Sequence, residues 1–169
     1  MAGALIVTAE LGHEDQAWLD RLRRAHFPPE RNHLAAHLTM FHALPPSAET
    51  ETRRRLAETV TVSPPPAWIA GLMDLGGGVA FRIVSEELDA IRDDLAAMFE
   101  GLLSAQDAQG WRPHVTIQNK VAAKVARALL AELERGFEPR PLAIRGLGLH
   151  RYLGGPWEQL AVYPFRKVR

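Results

Sequence analysis

The stretch Arg112–Lys120, RPHVTIQNK, decides how the rest of the chain is read. As a β-strand it points Val115 and Ile117 to one side and His114, Thr116 and Gln118 to the other, because successive strand side chains alternate faces. A histidine and a threonine at i and i+2 then stand about 6.6 Å apart on one face. Both can reach a single phosphate, while the apolar pair anchors the strand in a core.

A second stretch of the same kind lies at Ala36–Pro46, AHLTMFHALPP. His37 and Thr39 share one face, and Leu38 and Met40 supply the anchoring face. With seven histidines in the chain, chance predicts only about 0.3 His-x-Thr triplets. Two triplets in equivalent surroundings therefore mark a repeat.

The surroundings are equivalent. ALIVTAEL (4–11) predicts a strand, and HEDQAWLDRLRRAHF (13–27) predicts a helix with acids in its first turn and arginines near its end, ended by Pro28 and Pro29. After the first His-x-Thr strand, SAETETRRRLAETV (47–60) predicts a helix capped by Ser47, and PPPAWIAGLMDLGGG (64–78) a proline-led strand running into a glycine turn between two lobes. The second half repeats the plan. VAFRIV (79–84) is a strand, Ser85 opens a helix with the apolar stripe Leu88, Ile91, Leu95, Phe99 and Leu102, and the second His-x-Thr strand follows. A helix with Val121, Val125, Leu129 and Leu133 in line then leads to a closing hairpin that turns at Gly154, Gly155 and Pro156. We expect one bilobal domain over 1–169 with repeats at about 1–78 and 79–169. A pseudo-two-fold axis would set the two His-x-Thr strands face to face across a cleft.

Bulk properties bound the function. Hydrophobic residues are 47% and charged residues 24% of the 169, with zero formal net charge and no cysteine. That composition belongs to a globular chain. The missing thiols exclude disulfides and cysteine nucleophiles and point to a reducing cytoplasm. No stretch has the roughly 20 apolar residues of a membrane span, and the N-terminus lacks a signal-peptide pattern. Zero net charge argues against duplex DNA as a partner and favours a small substrate or an RNA end. No obligatory protein partner is evident.

Facing histidines make a proton-transfer pair. Imidazole titrates near 6.5, so one ring can be neutral while the other is protonated, and the two can serve as general base and general acid together. Threonine hydroxyls can donate to the non-bridging oxygens of a phosphodiester. No cofactor and no metal is required, and a zinc site built from His37, His114 and His42 or His150 is disfavoured because no carboxylate flanks either motif.

On AHLTMFHALPP and RPHVTIQNK, with the duplicated order around them, the chain resembles the two-histidine (2H) phosphoesterase superfamily, in its 2'-5' RNA ligase and cyclic phosphodiesterase branch. The resemblance implies an α+β, bilobal duplicated fold with two antiparallel sheets facing a central cleft and helices outside. It implies His37 and His114 as catalytic residues and Thr39 and Thr116 as phosphate donors. The substrate it implies is a 2',3'-cyclic phosphate on a nucleotide or RNA end. Departures are specific: the first motif continues Phe41-His42-Ala43-Leu44 instead of with a basic residue, and Asn119 stands where an arginine is common. A catalytically degenerate nucleotide- or RNA-binding protein is the alternative.

Around the motifs, strand parity puts Phe41 and Gln118 on the cleft face, where Phe41 could stack on a base, and turns His42 to the opposite face as a structural residue. In GLGLHRYLGG (146–155), parity groups His150 and Tyr152 with Gly146 and Gly148 as a wall that a ligand could approach closely. TRRRL (52–56) reads as a solvated helix face.

Overall fold

The computed structural model describes residues 3–167. Eight strands and five α-helices follow the order β1 (Leu5–Leu11), α1 (His13–His26), β2 (Leu38–Leu44), α2 (Glu49–Thr59), β3 (Ala67–Asp74), β4 (Val79–Val84), α3 (Glu86–Met98), α4 (Ala105–Ala108), β5 (His114–Gln118), α5 (Ala123–Glu134), β6 (Arg140–Leu142), β7 (Ile144–Tyr152) and β8 (Trp157–Pro164). Every pairing is antiparallel. One four-stranded sheet runs β2-β1-β7-β8 and the other β5-β4-β3-β6. The expected α+β fold with two antiparallel sheets is what the chain adopts.

Each sheet has its own share of the sequence. The first takes β1 and β2 from the beginning and β7 and β8 from the end, and the second is assembled from the middle. The glycine turn at Gly76–Gly78 therefore closes the β3–β4 hairpin inside one sheet and does not separate lobes. Gly76 takes a positive φ of 81°, which glycine adopts without steric cost. The chain changes sheets at Ala143, whose N–H donates to Asp15 Oδ2 and whose carbonyl accepts from Gly12 N–H.

Helices cross between the sheets. α1 leaves the first sheet and packs on β5 of the second, and its Trp18 stacks on Phe81 of the neighbouring β4 at 5.4 Å. In the opposite direction, Phe99 at the end of α3 meets Phe41 of β2 edge-on at 5.6 Å. One contiguous core runs through Leu5, Leu19, Leu38, Leu88, Leu95 and Ile117. The α3 stripe is buried at Leu88, Leu95 and Phe99 but ends before Leu102, which is 40% exposed.

Three local expectations change. Ser47 lies in a short 3-10 turn, Pro46–Ala48, and α2 starts at Glu49 without a side-chain cap because that turn already feeds the helix. α5 starts at Ala123, after Val121, and turns Leu129, Leu133 and Ala126 inward while Val125 is half exposed, so the leucine half of the expected stripe faces the core and the valine half does not. In β2, Val7 opposes Phe41 and Thr8 opposes Thr39, so Met40 is an extra, bulged residue. The bulge resets the alternation, and Met40 and Phe41 are both fully buried. Phe41 therefore belongs to the core and does not face the cleft.

Candidate active site

His37 immediately precedes β2, and His114 is the first residue of β5. Each ring folds back on its own backbone. His37 Nδ1 is 2.8 Å from the carbonyl of Ala35, and His114 Nδ1 is 2.7 Å from that of Arg112, both two residues upstream. A carbonyl oxygen can only accept, so Nδ1–H must donate, and the proton-exchanging atom of both rings is Nε2. The two motifs fix the same tautomer.

The two motifs are fastened to each other's surroundings. Trp111, three residues before His114, donates Nε1–H to the carbonyl of Thr39 at 3.0 Å. From α1, Arg23 donates Nη1–H to the carbonyl of Thr116 at 3.0 Å and Nε–H to Asn32 Oδ1 at 3.1 Å. From α3, Arg92 donates Nε–H to the carbonyl of Met40 at 2.9 Å and Nη2–H to that of Asp107 at 2.7 Å. Both arginines are buried, one from each half of the chain, and each holds the strand carrying the other half's motif. Periodicity assigned Arg23 only to a helix end; burial against a distant strand has no local signature.

Arg23 also lines a cavity of about 240 Å³ with His37, Thr116 and Asn119. A guanidinium from α1 thus shares this cavity with Asn119. His37 is pushed down to about 4, chiefly by burial, against the Ala35 hydrogen bond and with help from the charges of Arg23, His150 and His114. That imidazole is neutral at physiological pH.

Beside His37 a cavity of about 300 Å³ is lined by Thr8, Glu10, His150 and Trp157. Trp157 packs against His37 at 4.7 Å and His150 at 5.5 Å between ring centroids. Thr8 Oγ1 donates to Glu10 Oε2 at 3.1 Å and has only one proton, so at 2.9 Å it accepts from His150 Nε2–H. Burial lowers the His150 pKa against the opposing pull of Glu10. Gly148 makes the network possible: a Cβ there would lie 2.6 Å from Thr8 Oγ1 and 2.9 Å from His150 Nε2. The glycine serves side chains of the protein and not the close approach of a ligand.

His42 departs from its parity assignment. The β2 bulge turns it to a third cavity, of about 230 Å³, which it lines with Thr39 and His114. Gln118 is buried, with its Oε1 unpartnered among the described residues, and lines none of these three cavities. Tyr152 is half-buried at the β7–β8 turn and is likewise not among their lining residues. Arg53, Arg54 and Arg55 are paired along α2 with Glu49, Glu51 and Glu58, so the arginine run is a self-neutralised face. Among the described residues no three His, Cys, Asp or Glu side chains form a group that could hold a metal ion, and no helix is long and apolar enough to cross a membrane.

An α+β fold of two four-stranded antiparallel sheets, with two His-x-Thr motifs at its strands, fits the class of two-histidine phosphoesterases. Residues 12–156 match the 2'-5' RNA ligase superfamily, and the chain belongs to that family. Solved structures share the fold over their whole length. TT0787 of Thermus thermophilus superposes with a TM-score of 0.68 at 16% identity, over 98% of this chain and 100% of that one. Escherichia coli LigT complexed with 3'-AMP gives 0.61 at 17% identity, over 99% and 100%, and its complex with NADP+ gives 0.60 at 19% over the same shares. No curated protein matches the chain by sequence.

Proposed function

We propose that the protein is a metal-independent, cytoplasmic phosphodiesterase that opens 2',3'-cyclic phosphates on nucleotides or RNA ends. The observation that carries this reading is the shared hydrogen-bond arrangement of His37 and His114, which leaves Nε2 of each ring for proton transfer. Pure binding needs no such pair. The nucleotide complexes of LigT, with 3'-AMP and with ATP, support a nucleotide as the ligand.

In the proposed reaction Thr39 and Thr116 donate to the non-bridging oxygens, and Arg23 adds positive charge nearby. His37, kept neutral by its partial burial, takes a proton from the attacking water as the new P–O bond forms. A bound phosphate anion raises its basicity by Coulomb attraction. His114 gives the Nε2 proton to the ribose oxygen as the ring P–O bond breaks, so a ring diester becomes a monoester and a free hydroxyl. With a ribose hydroxyl in place of water, the same groups support ligase-type transfer. The test is ³¹P NMR of 2',3'-cyclic nucleotides incubated with protein and a chelator. Monoester formation supports the reading; tight binding without turnover supports a degenerate binding protein instead.

A further inference from the structure

The cavity beside His114 has a chemistry that the two motifs leave unused. Its walls carry Thr39, His42, Arg92, Asp107, Trp111 and Arg112. Asp107 is the only acid among them, and it is saturated. It accepts from His42 N–H at 2.8 and 2.9 Å, from Ala43 N–H at 3.0 Å and from the His42 ring Nδ1–H at 3.0 Å. Burial raises its pKa, but the His42 ring and these two amides outweigh that and hold the carboxyl below the usual range. Tied through Nδ1, His42 keeps Nε2 for the cavity.

Arg92 is pinned by the Met40 and Asp107 carbonyls and lies over the Phe41 ring at 4.2 Å, so its charge cannot swing away. Its Nη1 has no partner among the described residues. Arg112 is exposed at the mouth. The wall is therefore cationic toward any ligand. Of the two cavities that His37 lines, the one with Glu10 and Trp157 suits an uncharged ring and repels a second anion, and the one with Arg23 and Thr116 serves the first phosphate in the proposed reaction.

We propose that the cavity formed by His42, Arg92 and Arg112 is a subsite for a second phosphate of the substrate, beyond the one held between His37 and His114. This rests on the phosphodiesterase reading for the placement of the first phosphate. Preferred substrates then carry two phosphates, either a 5'-phosphate on the terminal nucleoside or an internucleotide phosphate, and the bare mononucleoside cyclic phosphate is a poor one. Arg112 donates charge-assisted hydrogen bonds to the anion, His42 donates through Nε2–H when its ring carries both protons between Asp107 and the phosphate, and Arg92 supplies fixed charge behind them.

Calorimetry with three probes tests it: 3'-AMP, adenosine 3',5'-bisphosphate and the dinucleotide ApA bearing a 3'-phosphate. At least one doubly phosphorylated probe should bind about tenfold more tightly than 3'-AMP, the worth of one or two charge-assisted hydrogen bonds. Which of the two shows the gain identifies the source of the phosphate. The gain should fall toward unity in Arg112→Ala, an exposed position whose change spares the core, and in Arg112→Ala/His42→Gln. Binding of 3'-AMP with no gain from either probe, or a gain that both variants retain, overturns the subsite alone. A protein that shows the ratio yet leaves cyclic phosphates unopened overturns the phosphodiesterase reading alone. Absence of binding by all three overturns both.

Discussion

Trp111 Nε1–H donates to the carbonyl of Thr39 at 3.0 Å, joining the segment that leads into the second motif to the backbone of the first. The spacing between the two halves of the site is thus set by a side chain and not left to sheet packing alone. Trp111→Phe keeps an aromatic ring and removes the donor. A cost of about 1 kcal/mol in stability is expected for the half-buried bond, with a larger fractional loss in kcat/KM than in folded population, checked by denaturant titration and steady-state kinetics.

Replacing either of the proposed proton-transfer groups should stop the proposed chemistry. His37→Ala and His114→Ala are each expected to lower cyclic-phosphate opening by about a hundredfold to ten-thousandfold. Neither ring is a core residue, so circular dichroism should show folded protein. Full activity in either variant would remove the paired acid–base mechanism.

The depressed His37 pKa makes stability depend on pH. Between the ordinary imidazole value of 6.5 and about 4, the unfolded chain binds a proton at this position that the native chain refuses. Stability therefore rises with pH across that window and gains nothing further from His37 above it. His37→Asn should flatten the dependence between those limits, as measured by urea denaturation over a pH series. An NMR titration of the wild-type ring should give a midpoint near the lower limit.

Phe41 tests the bulge. Fully buried against Phe99 and Arg92, it should cost about 3–5 kcal/mol when cut to alanine. Phe41→Leu should lower the melting temperature and leave KM for a cyclic nucleotide close to wild type. A selective rise in KM without a stability loss would return Phe41 to the cleft.

Gly148→Ala places a methyl within 3 Å of Thr8 Oγ1 and His150 Nε2. The expected result is loss of the Thr8–His150 hydrogen bond, seen as a changed His150 titration, together with weaker nucleotide binding on the His37 side. Thr8→Val, which removes the hydroxyl without adding bulk near Gly148, should reproduce the titration change.

Both motifs, the strand–helix order and the apolar anchors Leu38, Val115 and Ile117 were legible in the sequence. They rest on two-residue and helical periodicities, and periodicity is a local property of the chain. His-x-Thr needs only alternation along one strand to place both side chains on one face. The capped start of α3 at Ser85 and the closing hairpin at Gly154–Pro156 were readable for the same reason, since cap and turn chemistry act within a few residues.

What the tertiary structure decided involves residues far apart in the chain. A bulge at Met40 moved Phe41 into the core and turned His42 outward, and a second register shift before Leu44 returned that residue to the core, because each inserted residue inverts the faces that follow it. Which sheet each strand joins, the passage of Arg23 to Thr116 and of Arg92 to Met40, and the closure of Asp107 over His42 depend on segments meeting after the fold is complete. Sequence determined the His-x-Thr pairs because they are short and repeated. Only the assembled fold decided what surrounds them, because the charges that shape the cleft come from helices whose own periodicity contains no trace of the strand they reach.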